Sequence, residues 1–342
     1  MPLLLLVCLC ILTLCHAGAQ VPGVRSLADF TNDDGSRPDG ADDGSDDSSA
    51  LRKALAEGPG MVMIDAGTYR FSEVTVPAGV TLAGTGPGTV IRPAAKGIVF
   101  RQEGVRDWTI RDLTIDGGET GDWRERPEQG QVGIRILRCS HFLLADVTAM
   151  NFAGTGVDIE RTGATTPITH GGNIRGLTVR GNRVGVRFGV RAEYINATGL
   201  CCENNVTGCI VNAGNAKITD SNIISNLDGL VLEDGDNGSH GIISNCLLNH
   251  NDRYALLARE VKSGMVVSGC CFFYGSILLE NATGVTISDG LIGCSVLVRG
   301  EGINRIAGNR IFPATAPEIS ISPATLVRDN YGPDGPWEPD RR

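Results

Sequence analysis

A seven-residue arrangement of apolar and polar positions returns along the second half of the chain. The copies are TVRGNRV (178–184), LCCENNV (200–206), ITDSNII (218–224), IISNCLL (242–248), VVSGCCF (266–272), TISDGLI (286–292) and RIAGNRI (305–311). Their starts lie 22, 18, 24, 24, 20 and 19 residues apart. The fifth position reads Asn182, Asn204, Asn222, Cys246, Cys270, Gly290 and Asn309, a small or turn-forming residue between apolar runs. Units this short cannot bury an apolar face alone and must stack on their neighbours. The runs are β-like, without helical period, so the pattern predicts a coil of parallel strands.

Upstream, the sequence predicts a short helix over SSALRKALAE, capped by Asp47 or Ser48, with Leu51, Ala54 and Leu55 on one apolar stripe. Gly58-Pro59-Gly60 ends it, and MVMIDAGTYRF, VTVPAGVTLAG and TVIRP follow as short strands between turns. A solenoid needs its end closed, and an amphipathic helix ahead of the first coil suits that task.

Asp29-Phe30, DGADDGSDDSSALRKAL, IDAGTYRF and VTVPAGVTLAGTG resemble the amino-terminal signature of the pectate-lyase-like superfamily. That group comprises right-handed parallel β-helices, among them pectin and alginate lyases, polygalacturonases and phage depolymerases. Residues 29–86 carry the signature and the repeats extend the resemblance to about 312; Ile64-Asp65-Ala66 departs from the usual leucine-proline-alanine. The resemblance implies an all-β, single-stranded right-handed parallel β-helix with an N-terminal capping helix, of roughly ten coils. It specifies the fold more closely than the reaction.

Using the family's register, the seven-residue copies cover the second strand, an asparagine-ladder turn and the third strand of each coil. The first strands are then GIVFR, VGIRIL, GVDIE, GVRFG, GCIVN, GLVLE, ALLAR, SILLE and SVLVR. Alternation points Val157 and Ile159 inward and Asp158 and Glu160 outward. Asn182, Asn204, Asn222 and Asn309 are expected to form structural ladders, not catalytic groups. Two stretches break the spacing, 117–131 and 162–172. Both flank the first-strand sheet, so they should wall a groove beside Arg135, Asp158, Glu160 and Arg187.

The boundaries expected are a secretory signal peptide over 1–19, an acidic loop and capping helix over 20–60, the β-helix over 61–312, and an irregular cap and tail over 313–342 with one candidate strand at EISIS (318–322). The signal reading rests on MPLLLLVCLCILTLCHAGA, an apolar run ending in Ala17-Gly18-Ala19. No later stretch is apolar enough to span a bilayer, so an exported protein, extracellular or periplasmic, is expected, without membrane attachment after cleavage. Eight cysteines remain after residue 19, with no zinc-type spacing; Cys246 and Cys270 fall at the same place in successive repeats, within reach of a disulfide, and an unbridged stack is the preferred of the two readings. The net charge of −9 is concentrated in residues 29–47, with eight Asp against one Arg. With no basic run and few aromatics, nucleic acid is excluded as a partner. The acidic run reads as a solvated loop. Sequons stand at Asn196, Asn205, Asn237 and Asn281.

Asp158 and Glu160 emerge on one strand face about 6.6 Å apart, near the spacing of an inverting glycosidase pair. Alternating charges on any exposed strand give that spacing too. Arg135, Asp158 and Arg187 align on successive coils, and two guanidinium groups around a carboxylate suit a uronate sugar. A surface charge ladder would look the same. The resemblance implies Arg187 or Arg135 as the base of a β-eliminating lyase, with Asp158 and Glu160 holding calcium; His170 is a second candidate base. Trp123 and Arg124 in the first insert, and Glu233 and Arg259 farther along the groove floor, are candidate substrate contacts, while Glu280 and Arg299 continue that ladder. The paired-aspartate and Gly-His-Gly signature of polygalacturonases is missing, as is the Asp-Pro-His-Glu signature of epimerases. Polysaccharide cleavage by a lyase is the reading favoured, with an inverting hydrolase and a non-catalytic glycan-binding β-helix as alternatives.

Overall fold

The computed structural model describes residues 23–127, 130–160, 167–234, 238–312 and 318–337. The signal-peptide stretch and the sequon at Asn237 lie outside the described residues. The chain forms an all-β right-handed parallel solenoid of about 11 turns with a short helix near its N-terminus. Each full turn visits three sheets. The first sheet runs through Ile98–Glu103, Val132–Leu137, Thr155–Glu160, Val184–Phe188, Thr207–Val211, Asp228–Leu232 and Tyr254–Arg259. It ends on the C-terminal halves of Cys271–Glu280 and Leu291–Arg299 and on Ile319–Ile321.

Parallel pairing in register stacks like on like. Ile136, Ile159, Phe188, Val211 and Leu232 are successive Cα partners and all are buried. Burying each such side chain contributes about 1.5–3 kcal/mol. Those columns supply a core that no single coil could build.

Two corners carry hydrogen-bonded ladders. Where the third sheet turns into the first, Asn182, Asn205, Asn226 and Asn251 stack coil over coil. The Asn205 amide donates to the Val179, Glu203 and Asn226 oxygens, each at 3.0 Å, and its own oxygen accepts from Asn182. The coil must pass close to these amides. A Cβ on Gly208 would sit 2.7 Å from Asn226 Nδ2, which explains the glycine at the start of that strand. Where the second sheet turns into the third, Ser221, Cys246, Cys270 and Asn309 each donate to the carbonyl two residues back. One corner is thus served by hydroxyl, thiol and amide in turn.

The register differs from the sequence reading in one respect. The copies from 218 onward do span the second and third sheets, but those at 178 and 200 span the third and first. The ladder residue after Asn182 is therefore Asn205. Asn204 takes a left-handed turn position at φ 55°, and Asn222 is exposed at the start of a third-sheet strand. The Asn205 sequon is fully buried in the ladder, whereas Asn196 and Asn281 are exposed.

The ends also depart from expectation. The helix Ser48–Ala56 buries Ala50, Leu51, Ala54 and Leu55, but Asp47 makes no side-chain cap bond. Asn32 Oδ1 accepts from Ala50 N instead, and the Asp47 carboxylate accepts from Asn32 and from Arg70 N. Burial holds the Asp47 carboxyl above its usual range. Coil register begins before residue 61, because Val24–Ser26 pairs with Gly60–Ile64. It also continues past 312: Ile319–Ile321, Leu326–Arg328 and Asn330–Gly332 add to all three sheets, and Gly335–Trp337 folds back antiparallel. EISIS thus joins the first sheet, so the expected irregular C-terminal cap is partly another coil.

All eight cysteines of the described residues carry free thiols. Burial pushes Cys202 and Cys209 up, and Cys294 to about 12. Cys201 and Cys271 are the two that are partly exposed. In the native protein an alkylating reagent should label these two, and the other six only after denaturation; mass mapping of the labelled peptides checks this. Asn205→Ala orphans several buried groups at about 1–3 kcal/mol each. It should lower stability by roughly 3 kcal/mol, read as a shift of the denaturation midpoint.

Candidate functional site

On the outside of the first sheet, Arg101, Arg135, Asp158 and Arg187 are Cα partners on successive strands. Parallel coils fix their spacing at about 4.8 Å. Arg135 Nη2 donates to Asp158 Oδ2 at 3.0 Å, and the Asp158 side chain is only 5% exposed. Its other oxygen, Oδ1, is buried without a partner, as are Arg135 Nε and Arg187 Nε. Buried polar atoms left unpaired in this way are uncommon and costly. Here they gather at one place. Arg187 makes no ion pair among the described residues.

Glu160 follows on the same face. Burial, and then the neighbouring Asp158 charge, raise its carboxyl above the ordinary glutamate value, against the pull of Arg135 and Arg187. These groups line a cleft of 320 Å³ together with Arg183 and Gly130. Arg183 was not singled out in the sequence; its position just after ladder residue Asn182 is the signal that places it at the entrance to the first sheet.

The two irregular stretches do flank this sheet. In 117–131, Asp122 caps a 3-10 turn over Trp123–Glu125. The buried Arg126 offers its carbonyl to Arg183 Nη1 at 3.2 Å. Arg124 Nε reaches Asp252 at 2.9 Å, and its guanidinium lies 4.3 Å from the Trp123 ring. Asp252 stands on the turn before Tyr254–Arg259, five first-sheet strands beyond Arg135, so the insert runs about 24 Å along the solenoid as a wall. Arg124 and Trp123 hold this wall to each other and to Asp252. Arg124, the candidate substrate contact, is thereby engaged with Asp252 while its side chain stays half exposed.

The second stretch is described from 167. Thr169 Oγ1 donates to the Glu160 carbonyl at 2.8 Å, and Thr169–His170 pairs with Ala192–Glu193. That pairing holds His170 on the turn between the first and second sheets, where its ring meets His141 edge-on at 5.5 Å. His170 is not among the residues lining the cleft. Glu233 and Arg259 do not line it either. They stand farther along the same face, and Arg259 pairs with Glu280 at 2.5 Å.

Calcium does not fit this donor set. It takes six to eight oxygen ligands. Asp158 is already bound to Arg135, two guanidinium groups flank the carboxylates, and no cluster of three or more potential ligands occurs among the described residues. A larger recess of 570 Å³ lies near the start of the first insert, lined by Arg70, Arg92, Lys96 and Asp116 among others. Its charges are largely satisfied internally: Arg92 pairs with Asp42 and Asp116, and Arg70 with Asp42.

A triangular parallel solenoid with a loop-walled groove on one sheet defines the class: a right-handed parallel β-helix. The chain belongs to the family described as "Right handed beta helix region", whose model matches residues 96–311. Among solved structures, it is similar to the A-module of mannuronan C-5 epimerase AlgE4 from Azotobacter vinelandii. The identity is 18% and the TM-score 0.62, covering 90% of this chain and 95% of that one. It is also similar to PfbA, a surface adhesin of Streptococcus pneumoniae, at 13% identity and TM-score 0.69, with 90% of each chain covered. Pectate lyase Pel9A matches at 11% identity and TM-score 0.56, over 85% of this chain and 78% of that one. At such identities these likenesses establish the fold alone. A putative phage-related protein, YobO of Bacillus subtilis, is 28% identical over 128 residues, 34% of this chain; the match spans 16% of that relative's length.

An exposed ion pair contributes about 0.2–1 kcal/mol. Removing the Asp252 end of the tether should therefore open the insert modestly. Asp252→Ala is expected to speed cleavage within 117–131 by a glutamate-specific protease about two- to fivefold, measured as the rate of loss of intact chain.

Proposed function

We propose that the cleft binds an acidic, uronate-containing glycan and cleaves it by β-elimination. The observation that carries this reading is Arg187: a guanidinium without an ion-pair partner among the described residues, its Nε buried, beside the Arg135–Asp158 pair. A carboxylate presented by the ligand would satisfy it and could be held in a fork geometry.

Elimination needs the uronate carboxylate neutralised, so that the adjacent C5–H becomes acidic, and a base to take that proton. Arginine has no accessible neutral form, so Arg135 and Arg187 serve the first task and not the second. Glu160 is the group suited to the second. Its raised pKa brings the base closer to neutrality, where proton transfer is efficient. Its carboxylate takes the C5 proton, the C4–O bond breaks, the C4=C5 double bond forms, and the departing glycosidic oxygen takes up a proton. Hydrolysis would require Asp158 as a second working carboxylate, and the 3.0 Å bond to Arg135 withdraws it from that role. Export through a signal peptide at 1–19 belongs to the same reading and would place the protein with environmental polysaccharides.

The test is a panel of pectic, alginate and glycosaminoglycan substrates, followed by ultraviolet absorbance of the unsaturated product and by reducing ends. Both signals should rise; reducing ends alone would indicate hydrolysis, and saturable binding without product a non-catalytic role. Arg187→Ala should lower activity at least about 100-fold, in line with the loss of one charge-stabilising donor. Activity should climb with pH as Glu160 loses its proton, with an inflection above the ordinary glutamate value of 4.5. Because the folded-state pKa is raised, this carboxyl favours the fold while protonated, and that contribution is lost as pH rises through the raised value. Glu160→Gln should therefore abolish turnover while leaving the protein at least as stable at neutral pH. Thermal melts of both proteins at acidic and neutral pH check the sign.

A further inference from the structure

The outward row that holds Arg101, Arg135, Asp158 and Arg187 changes character at the next coil. Its following Cα partners are Ile210, Val231, Leu257, Leu278 and Leu297. Five apolar side chains thus continue the line of the cleft floor. Ile210 and Leu278 are almost fully buried by their stacked neighbours, at 5% and 3% exposure, and the other three are half-buried. No cation stands in this part of the row. A carboxylate laid over it would lose its hydration, and Arg259 beside the row is already paired with Glu280, so the exchange is unfavourable.

A second feature points to a ligand. Asn212 alternates outward two residues after Ile210; it is 9% exposed and its Oδ1 is buried without a hydrogen-bond partner. An amide oxygen accepts only. Together with the Nδ2 donor of the same amide, it can exchange hydrogen bonds with a sugar hydroxyl.

We infer that the groove is matched to a heteroglycan, in which an acidic sugar over Arg135, Asp158 and Arg187 is followed by neutral sugars over Val231 and Leu257. This deepens the acidic-glycan reading and rests on it. The coil rise of about 4.8 Å is comparable to one sugar ring, so a glycan lying along the axis meets roughly one coil per residue. The C–H faces of neutral sugars pack on the aliphatic row, with Asn212 taking a hydroxyl. A homopolymer of uronates would place carboxylates on that row and is selected against.

The experiment is calorimetric binding of two size-matched probes to the full chain carrying Glu160→Gln, which prevents turnover. One is a polygalacturonate oligosaccharide, all acidic; the other is a mixed oligosaccharide, a neutral xylo-oligosaccharide bearing a single terminal uronate. The mixed probe should bind at least tenfold more tightly. Val231→Arg and, separately, Leu257→Arg place a cation on the outward row, where circular dichroism can confirm an intact fold. Each should narrow or reverse that preference, and Asn212→Ala should weaken binding of the mixed probe. Equal or tighter binding of the homopolymer, dependent on Arg187 and indifferent to both arginine variants, would overturn the heteroglycan inference and leave the acidic-glycan reading standing. Binding of neither probe, or binding unaffected by Arg187→Ala, would overturn both.

Discussion

Everything outside this solenoid depends on a constraint inside it: no coil can bury its own apolar side chains, so each must meet its neighbours in register. The buried asparagine ladder enforces that register. Asn182, Asn205 and Asn226 each donate to the asparagine of the next coil, and Asn251 donates back to Ile223 of the coil before it, all in a dry environment. A shift by one residue would turn the inward columns outward and orphan the ladder together. The outer surface inherits this rigidity. Once Asn182 is fixed, Arg187 stands five residues on, beside Asp158 of the previous coil, and Ile210 follows on the next.

The first-sheet strands were legible because alternation over five or six residues separates inward Val157 and Ile159 from outward Asp158 and Glu160. The row Arg135, Asp158, Arg187 followed from the same alternation and needed no side-chain detail. The corners were less legible. LCCENNV offers two adjacent asparagines, and pattern alone cannot choose Asn205 over Asn204; the choice rests on which backbone carbonyls lie within reach. Asn32 capping a helix from 18 residues away is a tertiary contact and leaves no local signal. The extra coil after 312 was hidden because its strands are only three residues long. Strands that short carry hardly one period of alternation.

Within the candidate site, composition was readable and environment was not. The sequence places two carboxylates and two guanidinium groups together, but it does not say that Asp158 is nearly sealed, that Arg124 is spent on Asp252, or that His170 is held at a corner by a two-residue strand pair. Those facts come from the inserts, whose paths are set by contacts far away in sequence. The apolar continuation of the row was present in the middle residues of GCIVN, GLVLE, ALLAR, SILLE and SVLVR. Aliphatic residues on short strands read naturally as core until the register shows which of them face outward.

The two halves of the groove therefore use the same backbone for opposite purposes. Around Asp158 and Glu160 the walls remove water, which strengthens the Arg135 contact and makes the ionised form of Glu160 harder to maintain. Such a site costs stability, because polar atoms are left buried without partners. It is tolerable in a solenoid because the cost is local: the ladders and columns of the coils on either side continue without interruption. Beyond Arg187 the row turns aliphatic, and each residue packs against its like on the next coil. A fold that reads almost as a line can thus place a charged site with unpaired buried atoms at one point and let neighbouring coils both stabilise it and extend the surface it presents.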